Sequence, residues 1–161
     1  MFLKFKKSQK ISTLTKDEVG IVSGKVVALK EVTIPGTEIH CACFWMMSEA
    51  WKTGARGRGR KMWVPGGTKL VSNGFFVEDD SGKVWVCDNA DALDIRNGWE
   101  DSGLVGKKGT QRFVSRSIKN GDLVKIRGTV TGPKGAEPGD TLVIRPDAKG
   151  HISIIQKKKA K

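Results

Sequence analysis

Two histidines, His40 and His151, three cysteines and no tyrosine are a thin supply of groups for acid–base or nucleophilic chemistry. His40 stands beside Cys41 and close to Cys43, the nearest approach in the chain to a metal-ligand cluster. A zinc site takes four ligands at characteristic spacings, and along an extended strand His40 points away from both thiols. Cys41 and Cys43 share a strand face, and Cys87 makes the count odd, so no disulfide framework is implied. All three read as reduced packing residues. Asp88, Asp91 and Asp94 recur every three residues, whereas a calcium loop needs ligands at alternating positions around a central Gly. They read as solvated carboxylates at a helix start, where they complement the helix dipole. GARGRGRK is Gly-rich but has no Lys followed by Ser or Thr and opens no helix, so it does not match a phosphate-cradling loop. No catalytic residue, metal or cofactor is expected.

Cations combined with aromatics offer more. RGRGRKMW sets Arg56, Arg58, Arg60 and Lys61 next to Trp63, with Lys52, Trp51 and Trp45 upstream. Lys107, Lys108 and Arg112 form a second basic cluster. Basic loops around exposed aromatics make a single-stranded nucleic-acid groove, in which each stacked base contributes ~1–3 kcal/mol. Trp45 and Trp85 lie in apolar strands and read as core residues; Trp51 and Trp63, beside the basic loop, are the exposed candidates.

The formal charge is +12, but it is unevenly spread. The arm around Lys4, Lys6, Lys7 and Lys10, the loop 52–61, and the tail with Lys157, Lys158, Lys159 and Lys161 together hold 13 of the 29 basic residues and none of the 17 acidic ones. The remaining 16 basic residues face 17 acidic ones, so the body of the chain is nearly neutral. Such appendages attract phosphate in a salt-dependent way, or an anionic membrane surface at roughly 1 kcal/mol per cation, or simply keep a protein soluble.

The elements that must position these groups are short. At 161 residues and 38% hydrophobic content the chain suits one domain with one core. Gly-punctuated Val/Ile runs point to many strands. VGIVSGKVVAL alternates apolar and polar residues about a central Gly24, Pro35-Gly36 turns the chain, and HCACFWMM reads as a central strand buried on much of both faces. Ser48–Lys61 reads as a loop, and MWVPGGTKLV as two short strands about a Pro-Gly-Gly turn. GFFVE and KVWVC flank DDSG as a hairpin. Residues 88–108 read as a partly helical excursion capped by Asp88 or Asn89, before RFVSRSI, DLVKIRGTV, TLVIR and HISII return to strand. VSGKV and IRGTV echo each other, each a strand that bends at glycine to turn a barrel corner.

The order of these pieces resembles the GIDE domain, also called the beside-a-membrane domain, over about residues 13–155. The most specific segments are F-x-x-x-D-x-x-G-x-V-x-V at Phe75 to Val86 and I-x-x-G-D-x-V-x-I-x-G at Ile118 to Gly128. That family occurs in mitochondrial membrane-anchored E3 ubiquitin ligases and in many bacterial and archaeal membrane proteins. The resemblance implies an OB-like barrel held beside a membrane that binds partners or aids assembly. The transmembrane helices and the zinc-binding RING of the ligases have no counterpart in this sequence, so ligase activity is not implied.

The expectation is therefore a mainly β chain: an OB-like, at least partly closed antiparallel barrel with one short helical insert. A basic arm would cover 1–17, the barrel domain 18–156 and a Lys-rich tail 157–161. The basic N-terminus lacks the apolar block of a signal peptide, so a cytoplasmic protein is expected, peripheral to a membrane if attached to one. Two readings of function are open, the first of them leading, beside a third that would make this a small metal- or redox-linked protein built on His40, Cys41 and Cys43. One is a non-enzymatic GIDE-like binding or assembly module, meeting an anionic membrane or a protein partner, with Lys4, Lys6, Lys7, Lys157, Lys158 and Lys159 at the surface. The other is an OB-like protein that binds single-stranded nucleic acid through Lys52, Arg56, Arg58, Arg60, Lys61, Trp63, Trp51, Lys107, Lys108 and Arg112.

Overall fold

A computed structural model describes residues 7–53, 61–96, 99–105, 111–134, 137–138 and 140–158. With 59% strand against 5% helix, the chain is mainly β. In chain order the strands are β1 Val19–Val27, β2 Val32–Thr33, β3 His40–Cys41, β4 Cys43–Thr53, β5 Lys61–Ser72, β6 Phe75–Asp79, β7 Gly82–Val86, β8 Leu93–Arg96, β9 Trp99–Val105, β10 Gln111–Ile118, β11 Leu123–Thr131, β12 Val143–Arg145 and β13 Ile152–Lys158. Single 3-10 turns occur at Ile11–Thr13 and Ala90–Ala92.

Five strands close a barrel in the order β1-β6-β7-β12-β11 and back to β1. All pairs are antiparallel except β7 with β12. This is an OB-like barrel. Closure depends on β1, which pairs with β11 from Val19 to Lys25 and with β6 from Lys25 to Val27. The bend falls at Gly24, where an added Cβ would stand 2.3 Å from the Glu78 carbonyl oxygen. Only a residue without a Cβ lets the two backbones come that close. The echoed segments VSGKV and IRGTV prove to be neighbours: Val22 pairs with Ile126 across the β1–β11 ladder.

The core follows strand alternation. In β11, Val124, Ile126 and Val130 are fully buried, whereas Lys125, Arg127 and Thr129 turn outward. A one-residue slip would reverse that pattern, so apolar burial fixes the register. Ile11 and Leu14, three apart about one turn, are also buried and belong to this core. Ile11 donates its N–H to Asp79 Oδ2 at 2.9 Å, and Gln9 donates to the Ile21 carbonyl at 2.8 Å. The segment from Gln9 to Asp17, expected within a basic arm, is thus packed on the barrel.

Two long insertions build a second sheet, ordered β5-β4-β10-β9. β2 to β5 lie between barrel strands β1 and β6; β8 to β10 lie between β7 and β11. The β4–β10 ladder joins them. The chain from Ser48 was expected to be loop, but β4 continues to Thr53, paired with β5. The Pro-Gly-Gly stretch is a bulge within one strand: Met47 faces Thr68 and Glu49 faces Pro65, leaving Gly66 and Gly67 against Ser48 alone. β5 is an edge strand, where a proline without N–H costs no ladder bond.

Among the described residues, the helical excursion expected over 88–108 reduces to the Ala90–Ala92 turn, with Asn89 at its N-cap and no side-chain cap bond. LDIR then buries Leu93 and Ile95 at period two and pairs in parallel with β13, and β9 pairs with β10. Tertiary pairing overrides a helix too short to hold itself. β2 and β3 form a small hairpin about Pro35-Gly36, Gly36 having φ 76. It covers a second cluster of Val32, Ile34, Cys41, Phe44 and Phe113.

Candidate nucleic-acid interface

Alternation sorts the second sheet into two faces. Phe44 on β4 and Phe113 on β10 belong to the cluster under the β2–β3 hairpin. The other face carries Cys43, Trp45, Met47, Glu49 and Trp51 from β4, aligned with Ile118, Arg116, Val114 and Arg112 of β10. Near the barrel this face is closed: Cys43 and Ile118 are in the main core, with Trp45 and Leu70 packed against it. Farther out it opens. Trp51 is 42% exposed and its cross-strand partner Trp63 is half-buried.

The open end is tightly organised. The Trp51 and Trp63 rings lie 5.2 Å apart between centroids, tilted by 59°. The Arg112 guanidinium sits 4.4 Å from the Trp63 ring centroid, and its Nε donates to Glu49 Oε1 at 2.9 Å. Glu49 is the more buried partner and pins the fork in place over the indole. One step toward the barrel, the Arg116 guanidinium lies 5.7 Å from the Trp45 centroid. Planar cations layered on indoles, with one indole edge in solvent, present flat π surface and positive charge together, the chemistry that stacks a base and meets its phosphate.

Three of the residues singled out from the sequence, Trp51, Trp63 and Arg112, are thus brought together. Lys52 and Lys61 continue the β4–β5 ladder beyond them, described in backbone only. Arg56, Arg58, Arg60, Lys107 and Lys108 lie outside the described residues, as do Lys4, Lys6 and Lys159. Lys7 is exposed, and Lys157 and Lys158 end β13, again described in backbone only. Sequence reasoning missed Glu49 and Arg116; it read Trp45 as core, and Trp45 is partly buried against the main core. The R-x-x-x-R spacing in RFVSRSI was the available signal, since it puts both arginines on one strand face.

The barrel's own aromatics differ. Phe76 and Trp85 pair across β6 and β7 with centroids 4.8 Å apart, on the side of the ladder away from Val77 and Val84. This is the face with which OB folds usually bind oligonucleotides. Here Trp85 is only 6% exposed and packs so closely on Gly74 that an added Cβ there would meet its ring at 2.3 Å.

The residues considered for metal or redox chemistry have structural surroundings. His40 is exposed with Nδ1 3.0 Å from Thr33 Oγ1, and Cys41 donates weakly to the Val32 carbonyl. Burial, and then the neighbouring Cys41, push the Cys43 thiol far above its ordinary range. Burial likewise raises Cys87. Among the described residues no three His, Cys, Asp or Glu side chains converge on a common point. Asp94 bonds Arg96, and Asp88 and Asp91 are exposed.

Two carboxylates are held low. Burial alone would raise Asp79, but bonds from the Ser81 hydroxyl and the Ile11, Ser81 and Gly82 N–H groups outweigh it. Asp147 is held low against burial by the His151 and Lys149 N–H groups and by Arg127. Both organise turns at the barrel rather than the open face. No family model, curated protein or solved structure matches the chain.

Proposed function

We propose that this chain is a non-enzymatic binding module whose ligand is single-stranded nucleic acid, taken on the open face of the β4–β5–β10 sheet. The observation that carries this reading is Arg112 layered over Trp63 beside the exposed Trp51, at the root of the basic segment 52–61. An unpaired base offers both π faces to such a cluster, whereas duplex bases are already stacked. Arginine bonded to Glu49 in its own plane and layered on Trp63 keeps its outer face for stacking, while the basic residues of 52–61 supply phosphate attraction. The GIDE-like resemblance is compatible with a binding module, and its membrane-surface variant draws on lysines of the two ends instead.

The test is anisotropy of a labelled single strand of about twelve nucleotides in roughly 50 mM and 200 mM salt. It compares the full chain, a chain trimmed to residues 8–156, which lacks Lys4, Lys6, Lys7, Lys157, Lys158 and Lys159, and Trp63→Ala. Retained binding after trimming and about tenfold loss in Trp63→Ala is the expected outcome. Binding that vanishes with the trimmed ends, or that Trp63→Ala leaves intact, would defeat it. In that case phosphatidylserine vesicles that bind the full chain but not the trimmed one would establish the membrane reading.

A further inference from the structure

The face that carries Trp63 and Arg112 does not stop there. Four residues along β10, on the same side, Arg116 is exposed and lies over Trp45. Strand geometry sets Arg112 and Arg116 about 13 Å apart along β10. Between them the sheet is low and apolar: Met47 and Val114 are half-buried, and the exposed Thr68 stands beside Met47. Two arginine–tryptophan stacks therefore flank a shallow apolar floor.

We infer that Arg116 over Trp45 is a second station of the same binding track, so that one nucleic-acid strand runs along the sheet from Trp51 toward the barrel. The inference rests on the reading of this face as a single-strand site. Base steps in a stacked strand measure ~3.4 Å, so about 13 Å spans several nucleotides, close to the ~4 at the low end of OB-fold site sizes. Both stations carry arginine, Arg112 bonded to Glu49 and Arg116 opposite Glu100 in the β9–β10 register, and the floor between them offers apolar surface for bases. A half-buried Trp45 leaves less ring surface than Trp51. The second station thus works chiefly through the Arg116 guanidinium, meeting either a base or the passing phosphate.

The experiment titrates the full chain with labelled oligothymidylates of about three and about twelve nucleotides. It compares wild type, Trp63→Ala, Arg116→Gln and Arg116→Lys, with urea midpoints confirming that each variant folds. Arg116→Gln is expected to weaken the longer strand by about threefold to fivefold and leave the shorter one within about twofold, because the short strand occupies the outer station alone. Arg116→Lys is expected to recover part of the loss, keeping the charge without the planar fork. If Trp63→Ala weakens both strands while Arg116→Gln weakens neither, the second station is refuted and the outer site stands. If Trp63→Ala weakens neither strand, the proposed function fails and the second station with it.

Discussion

The barrel and the second sheet carry the same kinds of residue and use them differently. On the barrel, Trp85 and Phe76 form an edge-on pair and are buried. On the second sheet, Trp51 and Trp63 form a similar pair with Trp51 left in solvent. The barrel is closed and each strand is paired on both sides, so its aromatics are fixed by packing. The second sheet joins the barrel core through Cys43 and Ile118, with Trp45 and Leu70 packed against it, whereas Trp51 and Trp63 at its far end belong to neither hydrophobic cluster of the described residues. Aromatic content alone therefore does not separate the two regions; the side left uncovered does.

That contrast can be broken most forcefully at the buried tryptophan. Trp85→Ala should cost about 3–5 kcal/mol in urea unfolding, as for other large-to-small core changes, while the protein that remains folded keeps its oligonucleotide affinity. A comparable loss for Trp51→Ala would mean that the two regions are equally structural. Next in size, Trp51→Ala should lower single-strand affinity by roughly tenfold and stability by less than about 1 kcal/mol. Equal effects of Trp51→Ala and Trp85→Ala on affinity would erase the distinction.

The smallest effect concerns acid. Asp79 and Asp147 titrate lower when folded than their ordinary value of about 4. Their contribution to stability is therefore complete above that value and is lost as pH falls through the lower folded values. Wild-type urea midpoints should drop on going from pH 7 to pH 3, and Asp79→Asn should show a shallower drop from a lower starting point. Parallel curves for the two proteins would remove Asp79 from the account.

Much of the barrel was legible because its signals are local. Gly24 within an alternating run, the DDSG hairpin and the echo at Gly128 each specify a bend or a turn from adjacent residues. The second sheet was not, because β4 and β10 are partners more than sixty residues apart, and nothing local announces such pairing. DALDIR shows the limit in miniature: an aspartate-rich start suggests a helix, but the apolar alternation of Leu93 and Ile95 against β13 prevails. For the site, proximity of Trp51 and Trp63 to a basic run was visible. Arg112 over Trp63 required the β4–β10 register, and Glu49 as its anchor followed from the same ladder.

The most direct test of where ligand meets the molecule follows the five tryptophan indole N–H signals by NMR while a single-stranded oligonucleotide is added. The account predicts that Trp51 and Trp63 shift and broaden first, Trp45 follows with longer strands, and Trp85 stays in place. Shifts confined to Trp85, or no indole moving while the strand is demonstrably bound, would contradict it.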